Sequence, residues 1–139
     1  MIINANNKVV GRIATVAAKK ALLGEKVDIV NCENALITGE RGFLHAEFKR
    51  KKEMGTFKGP FMSRMPDRFV RRMIRGMLPY KQEKGKNAYK RIMCHIGIPK
   101  EMEGKEMVDL KEADISKVEN KDFVSIKQIC EKLGSKWQR

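Results

Sequence analysis

Cysteine is scarce in this chain. Its three residues, Cys32, Cys94 and Cys130, are odd in number, widely spaced and never arranged as CxxC. That pattern suggests neither a disulfide framework nor a zinc site, and points to buried, reduced thiols that pack as small hydrophobes. Long apolar runs are missing as well. No stretch approaches the roughly 20 residues that a membrane-spanning helix needs, and the opening Met1-Ile2-Ile3-Asn4 is too short for the apolar part of a signal peptide. A cytoplasmic location without a membrane partner is therefore expected. Glycine-rich phosphate loops are absent: Gly11 stands alone, with neither GxGxxG nor GxxxxGK[ST] around it. His45 has no acidic or cysteine companion at a telling spacing. His95 lies beside Cys94, but neighbours on a strand point to opposite faces. No two carboxylates have a motif spacing. These gaps lead us to expect no active site, no metal, no cofactor and no small-molecule substrate.

What is present is positive charge, and it is concentrated. The net charge of the 139 residues is +13. Residues 41–91 hold sixteen Lys/Arg against four Asp/Glu, a balance of +12, while the flanking thirds are close to neutral. No acid falls between Glu53 and Asp67. A block of one sign repels itself unless an oppositely charged partner is near, and polyanionic nucleic acid is the obvious one. The hydrophobic fraction of 42% fits a globular chain. Its length is most simply one domain, 1–139, carrying the basic region at 41–91.

Along the chain, 2–5 reads as a short strand. Over 10–23 the period becomes helical, with Val10, Ile13, Ala14, Ala17 and Ala21 on one face and Arg12, Thr15 and Lys19 opposite. Gly24 stops this helix and 26–31 forms a second strand. The result is a βαβ start with a parallel pair. Ala35-Leu36-Ile37 is a small apolar step, and Thr38 is placed to cap a helix through 43–52. Gly55, Gly59, Pro60 and Pro66 make an extended loop. A clear helix runs over 67–78 and ends at Pro79. A Gly/Lys-rich loop then leads to a helical turn near 87–91 and a buried strand at 92–96. The last third opens as a charged, balanced linker and closes with a helix whose capping box is Ser125 and Gln128. In that helix Ile126, Ile129, Cys130 and Leu133 share one face.

The helix over 67–78 is the most informative element. Its four arginines, Arg68, Arg71, Arg72 and Arg75, fall within about 100° of one another at the helical period, opposite Met73 and Ile74. Arginine offers a planar fork of donors that matches phosphate oxygens in pairs. Solubility alone would be served equally by lysine or by mixed signs. Lys49, Arg50, Lys51 and Lys52 form a basic tetrad. Lys58 and Arg64 follow in the loop, and Lys81, Lys84, Lys86, Lys90 and Arg91 continue the pattern beyond the helix. Arg12 adds a cation on the first helix. Phe43, Phe48, Phe57, Phe61, Tyr80 and Tyr89 are interleaved with these charges; such rings either stack on unpaired bases or anchor a loop to the core.

Val10-Gly11-Arg12-Ile13-Ala14 and Arg75-Gly76-Met77-Leu78-Pro79 make the chain resemble the universal L-thirteen family of large-subunit ribosomal proteins, in its compact archaeal form. The resemblance extends through Val30-Asn31-Cys32-Glu33, Thr38-Gly39, Gly85, Ala88, Arg91 and Gly97-Ile98-Pro99. Bacterial members carry an aromatic-containing N-terminal segment not found here. Lys86 stands where members often have Arg, and many members have His or Asn near the position of Lys100. The resemblance implies a three-layer α/β domain around a small, mainly parallel sheet, with basic loop extensions embedded in large-subunit ribosomal RNA. Neighbouring ribosomal proteins would be further partners, and no enzymatic activity is implied. Two rival readings of the charge are a DNA-binding or chromatin protein, and a nucleotide-dependent RNA-modifying enzyme built on the βαβ start. No helix-turn-helix, zinc finger or basic zipper supports the first.

Overall fold

The computed structural model describes residues 1–55, 57–119 and 122–136. Strand β1 (Ile2–Asn4), helix α1 (Val10–Leu22) and strand β2 (Val27–Val30) form the expected βαβ unit, and β1 runs parallel to β2 with Ile3 opposite Ile29. Strand β4 (Ile92–Cys94) joins the other edge of β2, also parallel, to give the order β1-β2-β4. The α/β architecture with a small parallel sheet is borne out. Because side chains alternate along a strand, Ile3, Val27, Ile29, Ile92 and Cys94 enter one core while Asp28 and Met93 share the opposite row. The alanines of α1 are buried as expected. They leave room for α3 (Pro66–Gly76) and α4 (Glu83–Lys90) to pack against α1.

Several expectations give way to tertiary context. Ala35-Leu36-Ile37 is more than an apolar step: β3 (Leu36–Thr38) pairs antiparallel with β5 (Phe123–Ser125) in a second, two-stranded sheet. Thr38 is therefore held opposite Phe123 and does not cap α2 (Arg41–Glu53), which starts from Glu40. Helix α4 begins at Glu83, earlier than the turn expected near 87–91. Gly85, which reads as a loop residue, serves instead as a contact. A Cβ there would lie 2.1 Å from the Pro79 carbonyl oxygen, so α4 rests directly on the backbone that ends the α3 region. The charged final third is not a free linker. Val108 hydrogen-bonds along the outer edge of β1, and Val9 N–H donates to the Ala113 carbonyl at 2.8 Å. Lys8, whose side chain is 7% exposed, is clamped between Asp109 and Asp114, each at 2.8 Å. The half of the Ser125 capping box that the structure shows is as expected: Ser125 Oγ accepts from Gln128 N–H at 3.2 Å and opens α5 (Ile126–Lys132). Ile126, Ile129, Cys130 and Leu133 of this helix are buried.

All three cysteines are free and buried. Cys32 and Cys94, distant in sequence, meet in the core. Their mutual hydrogen bond, together with burial, pushes the Cys32 thiol well above its ordinary value. Burial, followed by the charge of Asp67, pushes Cys130 up to about 12. Thiolates are correspondingly disfavoured, and the sulfurs act as packing atoms. Among the described residues no helix is long and apolar enough to cross a membrane, and no group of three or more His, Cys, Asp or Glu gathers as a metal would need.

Candidate nucleic-acid interface

Helices α2 and α3 carry most of the basic side chains. Proline at the first position and Asp67 in the first turn of α3 suit a helix start, where N–H groups lack partners and the dipole is positive. Phe69, Val70 and Ile74 are buried; Met73 is half-buried at the rim of the core. The arginine stripe forms, but it divides into two pairs. Arg68 and Arg72 are exposed. Arg71 lies half-buried with its guanidinium 4.5 Å from the centre of the Tyr89 ring, and it donates to the Tyr89 carbonyl at 3.5 Å. Arg71 Nε and Asp67 Oδ1 are buried without hydrogen-bond partners among the described residues. Arg75 covers Tyr80 at 5.1 Å. Arg71 and Arg75 thus spend part of their surface on intramolecular cation–π contacts, whereas Arg72 donates only a 3.4 Å contact to the Phe61 carbonyl and Arg68 faces solvent.

The tetrad on α2 is exposed but partly neutralised. Arg50 forks onto both Glu47 oxygens at 2.9 Å, Lys51 reaches Glu47 at 3.2 Å, and Lys49 lies 3.9 Å from Glu53. The bonds from Arg50 and then Lys51 hold the Glu47 carboxyl down at about 2. Exposed pairs of this kind contribute little to stability and exchange readily for other anions. Phe48 anchors α2 through an edge-to-face contact with Phe69, with ring centres 5.2 Å apart. That contact brings Lys51 of α2 and Arg72 of α3 to the walls of one cavity of about 180 Å³, beside Met62 and Phe69.

From this paired platform the loop carrying Lys58 and Arg64 projects. Phe57 and Phe61 on it are exposed, and Gly59 sits at φ +88, where a Cβ would press on the Phe61 ring at 3.2 Å. Of the seven aromatics in the basic region, Phe48, Phe69 and Tyr89 anchor to the core, Phe43, Phe57 and Phe61 remain open, and Tyr80 is partly exposed beneath Arg75. Lys81, Lys84, Lys86 and Lys90 are all exposed around α4.

Two further candidates stand apart. Arg91, half-buried, donates to the Ala21 carbonyl at 3.3 Å and closes the end of α1. Arg12 is exposed but donates to the Glu112 carbonyl at 2.7 Å and lines a separate open groove of about 740 Å³ against residues 109–113. Neither shares the cavities at the α2–α3 seam. The sequence singles out His45 only as a lone histidine and leaves Arg41 out of the basic set, yet both lie on α2 beside Lys132 of α5. The four-residue spacing of Arg41, His45 and Lys49 was the available signal.

A sequence model of the family described as Ribosomal protein L13 matches residues 1–101. Relatives named Large ribosomal subunit protein uL13 align along nearly the whole chain. The protein of Methanococcoides burtonii is 39% identical over 137 residues, covering 98% of this chain and 99% of the relative. That of Methanopyrus kandleri is 40% identical over 136 residues, covering 96% and 86%. That of Methanosarcina barkeri is 36% identical over 138 residues, covering 98% and 99%. The motifs around Gly11, Arg75 and Gly97, the α/β frame and this full-length similarity agree: the chain belongs to the ribosomal protein L13 family.

Proposed function

We propose that this protein is a structural constituent of the large ribosomal subunit which binds and stabilises folded ribosomal RNA through its basic surface, as one domain and without enzymatic activity. Family membership supports the ribosomal role. One observation carries the RNA reading: Lys58, Arg64, Arg68, Arg72, Lys81, Lys84, Lys86 and Lys90 are all exposed, and none pairs with a carboxylate among the described residues. Eight uncompensated cations on α3, α4 and the loops that precede them are costly in self-repulsion unless phosphates neutralise them. Phosphate contacts of this kind position a protein on folded RNA, while exposed rings such as Phe57 and Phe61 stack on splayed bases. Arg71 and Arg91 act by shaping the surface that the others present. Neighbouring large-subunit proteins are the secondary partners, and the site of action is the cytoplasmic ribosome.

The test is binding to deproteinised large-subunit ribosomal RNA against duplex DNA at matched salt. The RNA should win, and log affinity should fall with log salt by roughly 0.7–0.9 per phosphate contact. The protein should sediment with the large subunit and leave it in high salt. A flat salt response, or a preference for DNA, would sink the reading.

A further inference from the structure

Basic groups of α2 and α5 converge on a cleft outside the arginine stripe, the basic loops and α4, which meets the α2 tetrad only at Lys49. On α2, Arg41, His45 and Lys49 follow one another at four-residue spacing and so share a face. On α5, Gln128 and Lys132 do the same. The two helices pack together, and Arg41, His45, Gln128 and Lys132, with Glu131, line an open cavity of about 260 Å³ between them. His45 and Lys132 also line the adjoining cavity of about 360 Å³, on the side where Lys49 stands.

The charged groups facing His45 are Arg41 and Lys49 from its own helix and Lys132 and Glu131 from α5. Strand β5, also packed on α2, carries no ionisable side chain. Among the described residues neither Arg41 nor Lys132 pairs with a carboxylate, Glu131 included. Burial first, then Lys132 and Arg41, depress the His45 imidazole below its ordinary value. In the free protein the cleft thus holds the facing cations Arg41 and Lys132, neither paired with the Glu131 carboxylate that also lines it, together with the His45 ring and the Gln128 amide. An anion seated between the two cations would neutralise them.

We infer that this cleft receives a single RNA phosphodiester, gripped by the Arg41 fork on one side and the Lys132 ammonium on the other, with Gln128 and His45 as further donors. The inference rests on the RNA reading above and adds a site to it. A phosphate seated there replaces repulsion at His45 by attraction. The imidazole of the complex then holds a proton more tightly than that of the free protein, and binding takes up a proton. By linkage, affinity rises as pH falls through the range in which His45 takes up its proton. The opposite flank of α2 presents Lys51 beside Arg72, so the helix stands as a ridge with a phosphate contact on each side.

The experiment measures affinity for deproteinised large-subunit ribosomal RNA across salt and between pH 5.5 and 8. It compares the parent with Arg41→Gln/Lys132→Gln, His45→Gln and Arg68→Gln/Arg72→Gln, with circular dichroism checking each fold. The parent should bind several-fold more tightly at the acid end. Arg41→Gln/Lys132→Gln should lose roughly 0.7–0.9 of log–log salt slope, the amount for one phosphate, and with it the pH dependence. His45→Gln should lose the pH dependence, and Arg68→Gln/Arg72→Gln should lose slope while keeping it. An Arg41→Gln/Lys132→Gln variant with the parent's slope and pH profile overturns the site, and pH dependence persisting in His45→Gln overturns the role of the imidazole. A parent with no preference for this RNA overturns the RNA reading itself, an outcome visible before any variant is made.

Discussion

Gly85 shows how one residue can hold two elements at a fixed distance. Its missing side chain lets α4 touch Pro79 and Tyr80, where a methyl group would collide with backbone atoms that have no room to withdraw. Gly85→Ala should therefore destabilise by at least ~1–3 kcal/mol, the usual range for overpacking, measured by urea unfolding, and Tyr80 fluorescence should report the displaced turn. Glu33 works by the opposite means, filling a buried site with a hydrogen-bonding carboxyl group. Its two oxygens receive the Gly97 N–H at 3.0 and 3.1 Å, and that bond fixes the chain where Gly97 turns at φ +62. Glu33→Ala should cost ~1–3 kcal/mol by leaving a buried N–H unpaired. Glu33→Gln, which keeps an acceptor, should cost clearly less in the same urea unfolding. Both residues lie in stretches that mark the family, yet only their spatial partners explain why these residue types stand there.

At the scale of the element, α3 is a helix with two jobs on two faces and a boundary between them. Ile74 is fully buried in the core, so Ile74→Ala should lose ~2–5 kcal/mol, and saturating RNA should recover part of the lost melting temperature because a ligand of the folded state stabilises it by mass action. The arginines do not behave alike. Replacing exposed Arg68 and Arg72 by Gln should leave stability within ~0.5 kcal/mol, as surface changes do, and lower RNA affinity. Arg71→Gln removes a guanidinium stacked on Tyr89 and should lower the melting temperature as well as binding. If all three variants melt alike, Arg71 is a surface residue and the division of the stripe is wrong. The periodicity of 67–78 made the two faces legible in sequence. It could not show that two of the four arginines lean on tyrosines supplied by a later segment.

For the whole molecule, the clamp on Lys8 ties the first turn to the last third. Hydrogen bonds to Asp109 and Asp114 raise Lys8 above 10.5, and the bond from Lys8 holds Asp114 well below the ordinary carboxylate range. A depressed carboxyl contributes stability above the unfolded value, near 3.9, and loses it as pH falls through the folded one. A raised ammonium contributes below 10.5 and loses its contribution as pH climbs past that value. The contribution of this clamp should thus be constant between about pH 4 and 10 and fall away beyond both ends, as shoulders in the stability profile. Lys8→Met should flatten both shoulders in thermal melts across pH. A variant with unchanged shoulders would show that other groups set them. The same closure explains why the charged segment around 100–118 has short helical turns and edge contacts in place of a linker.

The sequence by itself determined what depends on neighbours along the chain. The βαβ start, the apolar faces of α1, α3 and α5, the Ser125 cap and the concentration of cations at 41–91 all follow from periodicity, capping and charge counting, which need no partner from far away. Tertiary structure alone decided what depends on segments meeting: the β3–β5 pairing that took Thr38 from its expected cap, the early start of α4 allowed by Gly85 against Pro79, the Lys8 clamp, and the stacking of Arg71 on Tyr89. It also decided that Arg41 and His45 face Lys132 across a cleft. A short strand has too few residues to declare itself by pattern, and a charged side chain shows nothing of its partner until the fold has brought that partner near.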